Sequence, residues 1–156
     1  MALAKTLQHY LDRSQVEYRV LSHSPTPSAS RAAQASHVSG EKIAKGVLLK
    51  DRDGYTLAVL PASHHLRLEE IGKALGSAVS LATEQALAEI FADCALGAVP
   101  VVGAAYGLDV VVDETVMALD EVYFEGGDHA SLVRVNAKDF KKLMGDVQQA
   151  RLARHD

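Results

Sequence analysis

Lys45 stands inside an otherwise apolar run, Ile43-Ala44-Lys45-Gly46-Val47-Leu48-Leu49. In an extended chain Ile43, Lys45 and Val47 share one face, while Ala44, Gly46 and Leu48 share the other. A lysine with such neighbours either snorkels to water or meets an anion. The adjacent glycine marks a place where a ligand or another backbone can come close. A second stretch, Asp93 to Gly103, carries no charge after Asp93 and is punctuated by Gly97, Pro100 and Gly103. Read alone it is an ordinary connection between helix and strand. With Lys45 it becomes a rigid loop of small residues whose main-chain groups can reach a ligand. His129 follows Gly126-Gly127-Asp128 at a strand entrance. There it either faces a cleft or bonds the nearby backbone as a turn histidine. Asp93, Cys94 and His129 lack the paired spacing of a metal site, and His64-His65 is too thin to be one. No metal and no cofactor are expected. A G-x-S-x-G elbow, a P-loop and a well-placed G-x-G-x-x-G are all missing from the sequence, so those templates fail.

The periodicity predicts the elements that position these residues. Leu3, Leu7, Tyr10 and Leu11 give an amphipathic helix over 3–13. Val16 to His23 alternates as a strand, stopped by Ser24-Pro25-Thr26-Pro27, and Ser28 caps a short alanine-rich helix. Ile43–Lys50 and Tyr55–Leu60 form a hairpin around Asp51–Gly54. Helices follow at Leu68–Leu75, ended by Gly76, and after Thr83, with Val79–Leu81 a short strand between them. Leu108–Val112 reads as a strand buried on both faces. Glu121–Phe124 and Ala130–Val135 are further strands, and Asn136 caps the last helix. Residues 145–156 read as a loosely held tail. The expected fold is a single α+β domain, 1–156, with a central mixed sheet flanked by short helices and a core over about 15–144.

Composition narrows the function. The chain has 156 residues, 48% of them apolar, enough for one real core. It has no run long enough to span a membrane and no signal-peptide core, and its single cysteine fits a reducing cytoplasm. Net charge is −4, which argues against broad nucleic-acid binding. The charge is uneven, however. Residues 1–52 hold 8 Lys/Arg against 4 Asp/Glu, residues 53–128 hold 2 against 13, and residues 129–156 hold 6 against 3. Basic ends on one face could receive a phosphate backbone, although charge blocks are commonly just solvated surface.

Three stretches come in a telling order: Ala44-Lys45-Gly46-Val47-Leu48-Leu49-Lys50, Asp93-Cys94-Ala95-Leu96-Gly97-Ala98-Val99-Pro100, and Glu125-Gly126-Gly127-Asp128-His129 with Arg134 and Asp139-Phe140. Together they resemble the YbaK and prolyl-tRNA-synthetase-associated domains, the aminoacyl-tRNA editing family, over roughly residues 15–144. Val101 stands where many relatives with this loop carry a second proline. The resemblance implies hydrolysis, in trans, of the ester joining a wrong amino acid to the 3′ end of a tRNA. Lys45 matches the family's functional lysine, which holds the terminal nucleotide or the aminoacyl group. Gly97 and Pro100, with Ala98 and Val99 between them and Gly103 beyond, match the loop whose backbone positions the ester and a water. His129 matches a histidine at the pocket's edge. The implied partner is the tRNA acceptor end, with an aminoacyl-tRNA synthetase or elongation factor as a further candidate. An activated ester is labile enough for positioning and main-chain polarisation to suffice without a nucleophile. The alternative is a non-catalytic module sensing an amino acid or nucleotide in the same pocket. A zinc hydrolase is a distant third.

Overall fold

A computed structural model describes residues 3–26 and 28–155. Pro27, part of the expected strand stop, lies outside them. Helix α1 (Lys5–Arg13) and strand β1 (Arg19–Ser22) precede helix α2 (Ala29–Ser36). The hairpin of β2 (Ile43–Asp51) and β3 (Gly54–Pro61) follows, then β4 (His64–Leu66), α3 (Leu68–Leu75), β5 (Ser80–Leu81) and α4 (Glu84–Ile90). A 3-10 turn at Gly103–Tyr106 leads to β6 (Asp109–Asp113), α5 (Glu114–Met117), β7 (Glu121–Glu125), β8 (Ser131–Asn136) and α6 (Ala137–Met144). The described chain closes with β9 (Gln148–Ala150) and β10 (Ala153–His155).

The sheet is mixed, in the order β1-β8-β7-β2-β3-β6-β9, with β5 added beside β2. Neighbours β2–β7, β3–β6 and β6–β9 run parallel and the other pairs antiparallel. Alternation along the hairpin sorts its side chains. Ala44, Leu48, Leu57 and Val59 face a core closed by Leu7 and Leu11 of α1 and Phe140 and Leu143 of α6. Leu49 and Ala58 face Ile71 of α3, and Ile43 faces Ala32 of α2. Val111 and Val112 of β6 fall into different clusters, so that strand is covered on both faces as its apolar run requires. This is the mixed α+β single domain the periodicity predicts.

Local signals hold at the helix ends. Thr83 Oγ1 accepts from Ala86 N, and Asn136 Oδ1 accepts from Asp139 N. Gly76 ends α3 with φ +75°, a left-handed cap that glycine adopts without steric cost. The first strand is shorter than its alternation suggests. Val16 is buried, and the amide of Glu17 is spent on Asp139 Oδ2. The expected loose tail over 145–156 is a correction: residues 145–155 are integrated into the fold. β9 extends the main sheet, β10 pairs with β4, and Leu152 packs, fully buried, against Leu49, Ala58, Ile71 and Val111. Buried Asp113 anchors the segment by accepting from Leu152 N at 2.9 Å.

Candidate functional site

Strand β2 shares one edge between two partners. Ile43 and Ala44 pair with Tyr123 and Phe124 of β7, and further along Leu49 and Lys50 pair with Leu81 and Ser80 of β5. Between those pairings lies a cavity of about 240 Å³, walled by Lys45, Gly46, Gly97, Val99, Glu125 and His129 over an apolar floor that includes Ala32, Ile43 and Leu132. Ligand pockets commonly span roughly 300–1,000 Å³, so this one suits a small group. The close neighbours of Gly46 are side chains rather than another backbone. A Cβ there would stand 3.1 Å from Val99 Cγ1 and 3.1 Å from Leu57 Cδ1.

Lys45 Nζ donates to His64 O at 2.7 Å and to Ala62 O at 3.4 Å. These carbonyls hold the half-buried ammonium at the corner between β3 and β4. Across the cavity, Gly97 is exposed with φ +82°, a conformation glycine reaches freely. Val99 lines the cavity with it. Ala98, Pro100 and Gly103, grouped with them on sequence grounds, are buried and do not line it. Their structural part is to shape the loop. Ala98 N donates to Ala95 O, and a Cβ on Gly103 would sit 2.4 Å from Val110 Cγ2. Val101, fully buried in the main core, fills space that fixes the loop from behind.

The opposite rim is the turn after β7. Glu125 Oε2 accepts from Gly127 N at 2.8 Å, and from Asp128 N and His129 N at 3.3 Å each. His129 is left-handed, with φ 60°, which costs roughly 1–2 kcal/mol in a non-glycine residue. Its Nε2 lies 2.6 Å from Leu96 O. A carbonyl only accepts, so Nε2 carries the proton in this contact and a neutral ring keeps Nδ1 as acceptor. Histidine thus clips the Gly97 loop to the second rim. The cleft-facing and backbone-bonded readings of His129 both hold. Glu125 and Ser28 also line the cavity and were missed by sequence reasoning. For Glu125 the available signal was a carboxylate directly before two glycines, whose open amides need an acceptor.

Asp93 and Cys94 point elsewhere. Asp93 Oδ2 accepts from Thr6 N at 2.8 Å at the start of α1, and Oδ1 accepts from Tyr106 Oη at 3.0 Å. Burial works to raise the Asp93 pKa, yet the bonds from Thr6 and Tyr106 hold it below the usual carboxylate range. Burial pushes the Cys94 thiol up to about 11, against the hydrogen bond it shares with Tyr106. It is therefore a packed thiol at neutral pH. Arg134, from the third motif, pairs with Glu121 through Nε at 2.8 Å, and this bond lowers the Glu121 pKa.

The fold and this cavity define a domain of the aminoacyl-tRNA editing class. A family model for the aminoacyl-tRNA editing domain matches residues 23–143, and the chain belongs to that family. Among solved structures, one described as a candidate trans-editing enzyme for prolyl-tRNA synthetase is 27% identical, with a TM-score of 0.85 over 97% of this chain and 96% of that one. A scaffold protein from a study of epitope backbone grafting is also 27% identical, with a TM-score of 0.84 over 98% and 97%. A candidate signal-transduction protein of Marinobacter aquaeolei VT8 shares the fold at 21% identity and a TM-score of 0.78, where 95% of this chain covers 30% of that one. No curated protein matches the chain at a comparable threshold.

Proposed function

We propose that this protein is a trans-acting deacylase that hydrolyses the ester of mischarged aminoacyl-tRNA. One observation carries the reading: Lys45, the Gly97 loop and His129, distant in sequence, wall one small cavity. The chamber takes the aminoacyl group. The Lys45 ammonium offers a fixed positive charge to a phosphate or carbonyl oxygen of the acceptor end. The Gly97–Pro100 loop, stiffened by its buried residues, orients the ester and a water, with Ala98, Val99 and Gly103 setting its course. His129 keeps the loop against the opposite rim. Water then attacks the acyl carbon, and amino acid and tRNA separate. Orientation of this kind can supply much of the rate for an ester already prone to hydrolysis. The likeness to a candidate trans-editing enzyme for prolyl-tRNA synthetase makes proline-specific tRNA carrying a wrong amino acid the first substrate to try, and that synthetase the first partner.

The test is release of radiolabelled amino acid from a panel of correctly charged and mischarged tRNAs. Selective release from a mischarged member is the expected result. Binding of free amino acid or nucleotide without release from any member would replace the enzyme with a sensing module.

A further inference from the structure

The interruption in the β2 edge leaves one residue's main chain facing the cavity. Tyr123 N donates to Lys42 O, and pairing with β7 ends at Ala44 and Phe124. Ala82 N donates to Leu48 O, one residue before the pairing with β5 at Leu49. Alternate residues of a strand turn their N–H and C=O to the same edge. Lys42, Ala44, Gly46 and Leu48 therefore address this edge, whereas Ile43 addresses β3 by accepting from Ala62 N. Gly46 is in the middle of the gap and lines the cavity. The registers with β7 and β5 both stop short of Gly46, and among the described residues no turn or loop amide or carbonyl pairs with its N–H or C=O.

We propose that Gly46 receives the aminoacyl group as one residue of an added strand. Its C=O accepts from the α-ammonium, and its N–H donates to the ester carbonyl oxygen. Directly opposed residues of an antiparallel ladder exchange two such bonds, and an α-amino ester carries the matching donor and acceptor. The assignment rests on the deacylase reading and adds to it the main-chain group that meets the reacting carbonyl. As water oxygen adds to the acyl carbon, the carbonyl electron pair moves onto oxygen, where the Gly46 N–H meets the developing charge. When the bond from the acyl carbon to the ribose oxygen breaks, the water's proton ends on that oxygen. Free amino acid and a ribose hydroxyl are the products.

An amide-to-ester exchange at Gly46, with glycolic acid in place of glycine, removes the N–H and keeps the shape. The expected fall in deacylation kcat is about 100- to 1,000-fold, the usual effect of losing one such donor. The same exchange at Leu48, on the same edge but outside the cavity wall, controls for a weakened strand and should leave the rate near wild type. A Gly46 ester variant at the wild-type rate overturns the assignment while leaving the deacylase reading intact. A second arm uses a non-hydrolysable 3′-aminoacylamino-adenosine, followed by amide NMR. The Gly46 amide should move downfield; if Gly97 and Val99 respond and Gly46 does not, the assignment fails. Binding at Gly46 by a protein that hydrolyses no aminoacyl-tRNA sinks the deacylase reading alone. A protein that neither binds the analogue nor releases amino acid overturns both.

Discussion

The cavity beside Gly46 and the hollow at the far end of the same hairpin are built from the same strand but differ in charge and in what surrounds them. The hollow, about 510 Å³, is the larger, and Asp51, Asp53, Asp109 and Asp146 stand around it. The cavity, about 240 Å³, has one lysine, one carboxylate already spent on three amides, and one histidine. The proposed ligand, a tRNA end, is polyanionic, so the aspartates would repel what the lysine would attract. The hollow also borrows its wall from residues 146–148, the stretch that leads into β9 and packs Val147 against the main core. Volume alone does not decide between them. Convergence of distant segments on one chamber, with a charge of the right sign, is the better guide.

The comparison can be broken at several points. The largest effect is expected beyond the hollow's wall, where Leu152 packs against Leu49, Ala58, Ile71 and Val111, and on stability alone. Leu152→Ala should cost about 2–5 kcal/mol, the usual range for a fully buried leucine. Deacylation per folded molecule should stay unchanged. Denaturant titration checks the first and active-site-normalised kinetics the second, and a selective loss of rate would tie the hollow to the chemistry. Next, Lys45→Ala should lower deacylation roughly 10- to 150-fold, the equivalent of one charge-assisted contact of ~1.5–3 kcal/mol. Lys45→Arg should recover only part, because a planar fork does not reproduce a compact ammonium. Single-turnover rates near wild type for Lys45→Ala would reduce that lysine to a structural tie between β2 and the β3–β4 corner. His129→Ala removes the bond to Leu96 O, about 0.5–1.5 kcal/mol, and should slow deacylation about 2- to 10-fold. An unchanged rate would show that the loop keeps its place without the clip. Smallest of all, Asp109→Asn combined with Asp146→Asn should move stability by no more than about 0.5 kcal/mol. It should also leave the tRNA KM near wild type. A tenfold drop in KM would mean that the acceptor end passes over the hollow after all.

Sequence patterns were legible where the cause is local. Thr83 and Asn136 start their helices and Gly76 ends its own for reasons contained within a few residues, and the run at 43–50 forms the strand its residues suggest. β4, β9 and β10 are three residues each, too short for a period, and exist because distant partners offer hydrogen bonds. The site was half legible for a related reason. Lys45, Gly97, Val99 and His129 do reach the cavity, but a contiguous motif does not reveal which of its members turn inward. Ala98 and Pro100 flank Val99 and are buried without lining the cavity. Glu125 went unseen because its task, collecting the amides of 127–129, appears only when the turn has closed.

That turn has a consequence for how the site moves. Gly126 O accepts from Ala4 N, Gly127 O from Ala95 N, and His129 O from Thr26 N. Three chain segments that never meet in sequence are thus knotted to five residues, and one of the three carries the Gly97 loop. Opening the mouth by fraying any single segment leaves the other two fastened. Releasing the turn frees all of them at once, so hydrogen exchange at Ala4, Thr26 and Ala95 would follow a common cooperative event rather than independent local breathing. The mouth behaves as one latch.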